Sequence, residues 1–296
     1  MPELKAYHNY FLWDYVPSLP TAIVATILFC ITTGAVLWRS ITTRTRFAIP
    51  FIVGGFFQII GYIARAASYE QTDNLGLYCI QSIFILVAPA LFAASIYMTL
   101  GRVTRSIRGE RHSLIRPQWL TRIFVSGDVC SFLVQGTGGG LMAMDSFSKT
   151  AAQNIILAGL AVQIVLFGLF CATAVVFHVR QRRWPSAESA RGSDSSSSSR
   201  WERTLCMLYG TSALIMVRSI FRVVEYVMGR DGYPLQHEWT LYVFDALLMV
   251  LAMVVFAWWY PGRLSVPPGG EEDGMSPGEG SVRLESSGYA SEERQK

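Results

Sequence analysis

Lysine is almost absent from this chain: Lys5, Lys149 and Lys296 are all there is, and none lies in an apolar stretch. A retinal-type pigment, which needs a buried lysine for its Schiff base, is therefore excluded. Histidine is nearly as scarce. His8, His112, His178 and His237 all fall in loops or at the edges of apolar runs. An intramembrane zinc hydrolase needs several ligands at membrane depth with one open metal position, and this chain offers no such set, so neither metal nor cofactor is expected. No GxxxxGK[ST] stretch is present, which removes ATP as a direct energy source within the chain. The third apolar block ends TLGRV and the seventh ends WWYPG, without the motifs common in heptahelical signalling receptors. There is no Asn-x-Ser/Thr sequon. Of the five cysteines, Cys30, Cys130, Cys171 and Cys206 lie within apolar blocks and Cys79 stands alone near one edge, so no disulfide is expected.

What fills the chain instead is apolar. It is 51% hydrophobic and only 16% charged, and the apolar residues come in blocks long enough to cross a bilayer, which takes about 20 helical residues. Seven blocks are legible: Thr21–Trp38, Phe47–Ala67, Tyr78–Leu100, Thr121–Ala143, Asn154–Phe177, Thr204–Met228 and Trp239–Tyr260. They lack the two-residue alternation of a membrane barrel. The expected fold is all-α, a seven-helix membrane domain over residues 21–261, with an N-terminal segment 1–20 and a Gly/Ser/Glu-rich tail 262–296. The first block is expected to be a retained helix and not a cleaved leader, because no small-residue cleavage site follows it and Arg39 does.

Basic residues in the short loops set the orientation. Fourteen arginines fall in the Arg39–Arg46, Gly101–Leu120 and His178–Arg203 loops, against Lys5, Lys149 and Arg230 on the other side. The N-terminus is thus expected outside and the tail in the cytoplasm. The net charge of +4 reflects topology and anionic inner-leaflet lipid, not nucleic acid. The segment Pro185–Ser199 reads PSAESARGSDSSSSS and is expected to be a spacer or a phosphorylation cluster.

Charges inside spanning helices are costly and usually face the bundle interior. Six are placed inside: Arg65, Arg218 and Arg222 against Asp128, Glu225 and Asp245. In RSIFRVVEY, Arg218, Arg222 and Glu225 fall on one helical face, so Arg222 can pair with Glu225 while Arg218 needs a partner elsewhere. At 1.5 Å per residue, Arg222 and Asp245 both lie about 9 Å from the outer ends of their helices. Arg65, Gln81, Arg222, Glu225 and Asp245 then share an outer polar layer. Arg218, Gln58 and Gln135 lie near the midplane, and Asp128 lies deeper. Three roles fit these charges: pairs that fix helix register, a pocket for an amphiphile, or a proton relay. Pro89 is expected to kink the third helix, and Gly136 with Gly140 to bring the fourth close to a neighbour, or the four glycines of QGTGGG to loosen its outer end.

Several stretches resemble the fungal lipid-translocating exporter family: GYIAR (Gly61–Arg65), QSIFILVAPALFAASIYMTLGR (Gln81–Arg102), GDVCSFLVQGTGGG (Gly127–Gly140), GLAVQ (Gly159–Gln163), RSIFRVVEY (Arg218–Tyr226) and EWTLYVFDALLM (Glu238–Met249). Two positions depart from it. Leu248 stands where many members have proline, which puts a hinge in the seventh helix in doubt, and Tyr260 stands where histidine is expected. The resemblance implies a non-enzymatic plasma-membrane or endomembrane (vacuolar) protein that handles sphingoid bases, sterol-like toxins, porphyrin or haem among membrane lipids, as a translocator or as a lipid sensor. It supplies no established site residues. With a sphingoid base as ligand, Glu225 and Asp245 would hold the ammonium and Gln81 or Gln135 the hydroxyls. Arg65 and Arg222 would balance the acids in the empty site. Exchanging the charges of Arg222 and Asp245 is expected to recover expression if that pair is structural.

Overall fold

The computed structural model describes residues 18–70, 74–106, 117–142, 148–183, 195–229, 232–233 and 237–260. The expected N-terminal segment and C-terminal tail, and residues 185–194 of the serine-rich segment, lie outside the described residues.

Among the described residues seven helices form, one for each apolar block: α1 Leu19–Thr43, α2 Ile49–Ala67, α3 Leu75–Ser106, α4 Pro117–Met142, α5 Lys149–Arg183, α6 Ser195–Met228 and α7 Glu238–Trp258. There is no strand among the described residues. Six of the seven are long and apolar enough to cross a membrane. The exception is α4. At 26 residues it is about 39 Å long, ample for a bilayer. Asp128, Gln135 and the glycines from Gly136 to Gly140 dilute its apolarity.

Local chemistry sets the ends. Pro20 and Pro50 occupy the first turns of α1 and α2, where a missing N–H costs nothing. α1 stops at Arg44, which adopts a left-handed conformation (φ 51°) and donates its N–H to Ile41 O, while Thr45 N bonds Ser40 O. Some expected loops are helical. α6 begins at Ser195, so Ser195–Ser199 extend that helix instead of forming a spacer. Arg102 and Arg105 ride on the end of α3, and Arg180, Arg182 and Arg183 on the end of α5. Helices that outrun the apolar run carry their arginines past it, which a hydropathy boundary does not register.

Consecutive helices are neighbours, α7 returns to α1 to close a ring, and α3 also packs on α6 through the middle. Exposed aliphatic faces, such as Ile23, Ile27 and Ile31 on α1 and Val162, Val165 and Leu169 on α5, point away from the core. For convenience, the upper end carries the starts of α1 and α7, and the lower end the α1–α2 turn. At the lower end Phe51 stacks between Phe256 (4.0 Å) and Phe92 (4.4 Å), with Phe47 and Tyr260 completing the group. Tyr260, at the position departing from the family pattern, also hydrogen-bonds Thr45. All five cysteines are free thiols.

The close helix contacts differ from the expected pair. Gly136 and Gly140 have nothing within 4 Å of a notional Cβ. It is Gly138 that meets α5: a Cβ there would lie 2.6 Å from Ile156 Cγ1 and 3.0 Å from Ala152 O. Across the seam, a Cβ on Gly159 would lie 3.0 Å from Ser131 O. A four-residue glycine spacing marks a face that permits close approach, but not whether a neighbour lies there. Gly138→Ala is therefore expected to cost about 1–3 kcal/mol by overpacking, whereas Gly136→Ala is expected to be near neutral. Thermal melting of the purified variants in detergent checks both.

Candidate functional site

The charged residues assemble in two adjoining groups near the upper end. In the first, Asp245 of α7 receives two arginines of α6. Arg218 Nε donates to Oδ1 at 2.6 Å and Arg222 Nη2 to Oδ2 at 3.3 Å, while Arg222 Nη1 donates to Glu225 Oε2 at 2.9 Å. Arg222 thus sits between Glu225 on its own helix and Asp245 on the next. Arg218 and Asp245 are each only 2% exposed. Two guanidiniums face two carboxylates, which neutralises a group that would otherwise be prohibitive to bury.

Two helix irregularities present this group. Asp245 lies in a π-helical segment, Tyr242–Leu247, the irregularity often found where a helix serves a site. So α7 is not regular even with Leu248 in place of proline. On α3, Pro89 has no N–H to offer the carbonyl four residues back, that of Ile85. Arg218 Nη2 takes that carbonyl at 3.1 Å. One arginine thereby satisfies the acceptor left vacant in α3 and one oxygen of the buried acid of α7.

In the second group Arg65 of α2, fully buried, donates from Nη2 to Glu238 Oε1 at 2.8 Å and from Nε to the Tyr242 hydroxyl at 3.0 Å. Tyr242 OH donates on to Glu238 Oε1 at 3.3 Å. The backbone N–H of Ser18, ahead of α1, reaches both oxygens of Glu238 at 3.0 Å. Tyr62 of α2 lies beside this group, its ring 6.2 Å from that of Tyr242. It stacks on Phe29 of α1 at 5.2 Å.

Several buried polar atoms in this region have no hydrogen-bond partner among the described residues: Tyr62 OH, both amide atoms of Gln58, Gln81 Oε1 and Arg222 Nε. Others of the same kind lie elsewhere in the bundle, on Thr33, Ser95, Asp128, Gln135 and Ser212. Buried groups left unpaired cost free energy, and each can receive water or a polar ligand.

The eight residues singled out in the sequence do not form one cluster. Arg218, Arg222, Glu225 and Asp245 meet directly, and Arg65 belongs to the adjacent group. Gln81 is buried on α3. Asp128 instead accepts from Tyr97 OH at 3.0 Å across the α3–α4 seam, with Oδ1 unpartnered. Gln135 donates to Gln163 Oε1 at 3.0 Å across α4–α5. Asp128 forms no ion pair among the described residues, so the three-against-three charge balance is corrected: Arg65 is neutralised by Glu238. Tyr97→Phe removes the hydroxyl that serves Asp128 and is expected to destabilise by about 1–3 kcal/mol, measurable as a lowered melting temperature.

Sequence reasoning missed Glu238, Tyr242, Tyr97 and Gln163. A seventh block that starts at Trp239 leaves Glu238 in the preceding loop. An acid at the first turn of a helix, four residues ahead of a tyrosine, is the available signal.

Residues 51–266 match the family described as RTA1 like protein. The chain belongs to the RTA1-like family. Among RTA1-like proteins of Saccharomyces cerevisiae, it is 37% identical to Protein RTM1 over 285 residues, spanning 83% of this chain and 90% of that one. It is 41% identical to Protoporphyrin uptake protein 1 over 217 residues, 73% of this chain and 69% of the other. To Sphingoid long-chain base transporter RSB1 it is 27% identical over 296 residues, 88% and 77%. No solved structure matches. RTA1-like membership and the spanning helices make this an integral membrane protein with a transporter-like role, and the match takes in both groups of charges.

Proposed function

We propose that this protein moves amphiphiles between the leaflets of the membrane, or exports them, with the head group engaging the buried polar layer and the hydrocarbon meeting apolar helix faces. The role is non-catalytic. The observation that carries it is the set of unpartnered buried groups, Tyr62 OH, the Gln58 amide, Gln81 Oε1 and Arg222 Nε, set against a neutralised ion network. Interior charge alone would serve helix register. Unsatisfied donors and acceptors beside it serve a ligand that supplies the missing partners. The names of two relatives, a sphingoid base transporter and a protoporphyrin uptake protein, share amphiphilic cargo and support that class. A sphingoid base is the preferred substrate, with Asp245 and Glu225 nearest its amine. The plasma membrane is the preferred location, with the N-terminus outside.

Flux decides the matter. Purified protein in phosphatidylcholine vesicles is expected to equilibrate a labelled sphingoid base across the bilayer faster than empty vesicles do. Saturable binding without flux would instead make the protein a lipid sensor, and neither binding nor flux would leave the charged layer as helix glue.

A further inference from the structure

Between α1 and α7 a cleft of about 310 Å³ opens on the side of the bundle. Two ties bracket it. Above, Ser18 N binds Glu238. Below, Thr32 Oγ1 meets Met253 Sδ at 3.5 Å. Between the ties the helices part, and the wall of α7 there is the π segment with Val250 just beyond it. The lining runs from Thr21 and Tyr242 at the top, past Val24 and Leu247, to Leu28 and Val250. Ala25 and Ala246 form its floor, and their small side chains leave the space open. The stretch from Pro20 to Leu28 makes the cleft about 12 Å long. Val24, Leu28 and Leu247 are 57%, 41% and 47% exposed, so the mouth opens where the bilayer lies.

The cleft is graded. Its lower part is hydrocarbon only. Its upper end is Tyr242, whose hydroxyl is one corner of the Arg65–Glu238–Tyr242 group. Glu238 Oε1 already accepts from Arg65, Tyr242 and Ser18, but among the described residues Oε2 accepts from Ser18 alone. A carboxylate oxygen has two lone-pair sites, so Oε2 retains room for another donor. The volume is at the small end for ligand pockets, and the narrow apolar length of the cleft suits one alkyl chain.

We propose that this cleft seats the alkyl chain of a single-chain amphiphile entering sideways from the bilayer, with a hydrogen-bond-donating head group, an amine or a hydroxyl, at Glu238 Oε2. This rests on the amphiphile reading and gives it an entrance. It also gives α1 a part in the function: α1 and α7 form the doorway, and Tyr62 packs beside Tyr242 at its top.

The experiment uses full-length protein in phosphatidylcholine nanodiscs with hexadecylamine carrying a photoreactive diazirine mid-chain, followed by peptide mapping. Labelling is expected within residues 21–28 and 242–250. Unlabelled hexadecylamine and hexadecanol are expected to compete, and hexadecyl phosphate to compete at least tenfold more weakly. Ala246→Leu fills the floor and is expected to cut cleft labelling at least tenfold. Val24→Trp, at the exposed mouth, gives the same readout if Ala246→Leu does not fold. Labelling spread evenly over the lipid-facing helices, or unchanged in the filled variant, overturns the proposal. So does equal competition by the phosphate. Flux of sphingoid base without cleft labelling sinks the cleft and leaves translocation standing. Cleft labelling in a protein without flux sinks translocation and leaves the cleft standing.

Discussion

Asp245→Ala is expected to be the most damaging single change in the bundle. It strips both Arg218 and Arg222 of a carboxylate that each holds directly, and leaves Glu225 as the sole acid of that group. Breaking a buried pair from one side costs about 3–5 kcal/mol. A domain's whole stability is about 5–15 kcal/mol, so folded protein should fall sharply in yield and melt well below the parent. Arg105→Ala, on the last turn of α3, is expected to stay within about 0.5 kcal/mol. The geometry also overturns the expectation for the charge exchange. Arg222→Asp together with Asp245→Arg would set an arginine at 245 against Arg218 and an aspartate at 222 beside Glu225. Expression is therefore expected to stay low. Normal yield from Asp245→Ala, or recovery by the exchange, would show that the three-way junction does not govern stability.

Arg218→Met is expected to come second, and its partner variant makes the test specific. The methionine would leave Ile85 O without its donor and Asp245 Oδ1 without its closest cation. An orphaned buried acceptor costs about 1–3 kcal/mol. Pro89→Ala returns an N–H to α3 in reach of that same carbonyl. In the Pro89→Ala background, Arg218→Met should therefore cost about 1–3 kcal/mol less than in the parent, the remainder being the loss to Asp245. A double-mutant cycle on melting curves reads the difference directly. Strict additivity would mean that the arginine does not serve the carbonyl vacated by the proline.

The parts legible in the sequence are those in which spacing along one helix fixes geometry. The seven apolar blocks became seven helices because twenty or so apolar residues admit few other forms in lipid. Arg218, Arg222 and Glu225 were readable as one face because residues three and four apart must be neighbours. The meeting of Arg222 with Asp245 was foreshadowed by matched depth, whereas depth put Arg218 in the midplane layer, apart from the Asp245 it binds at 2.6 Å. The sequence also held both halves of another contact, a proline with a carbonyl to spare and an arginine short of a partner, but nothing in either helix says that they face each other. Glu238 was lost to a boundary error of one residue, at the start of the seventh block. The cleft was invisible for a different reason. The apolar run of α1 has no charge to draw attention, and a space between two helices depends on where they part, which is a property of neither alone. Depth alone places Asp128 and Gln135 on the route, but depth is only one coordinate, and their hydrogen bonds turn them toward other seams.

The aromatic stack at the lower end has a consequence for the direction of travel. Phe51, Phe92 and Phe256 are each fully buried, and their rings touch across α2, α3 and α7. On the proposed translocation reading they would act as a stopper below the polar layer, with the side cleft as its way in. A head group that entered would then have two exits: back through the doorway, or downward once the rings turned aside. The second would make ring rotation, rather than ion-pair breakage, the slow step of crossing. Bulk at Phe51 or Phe256 would then set the speed of passage without changing how tightly the cargo is held.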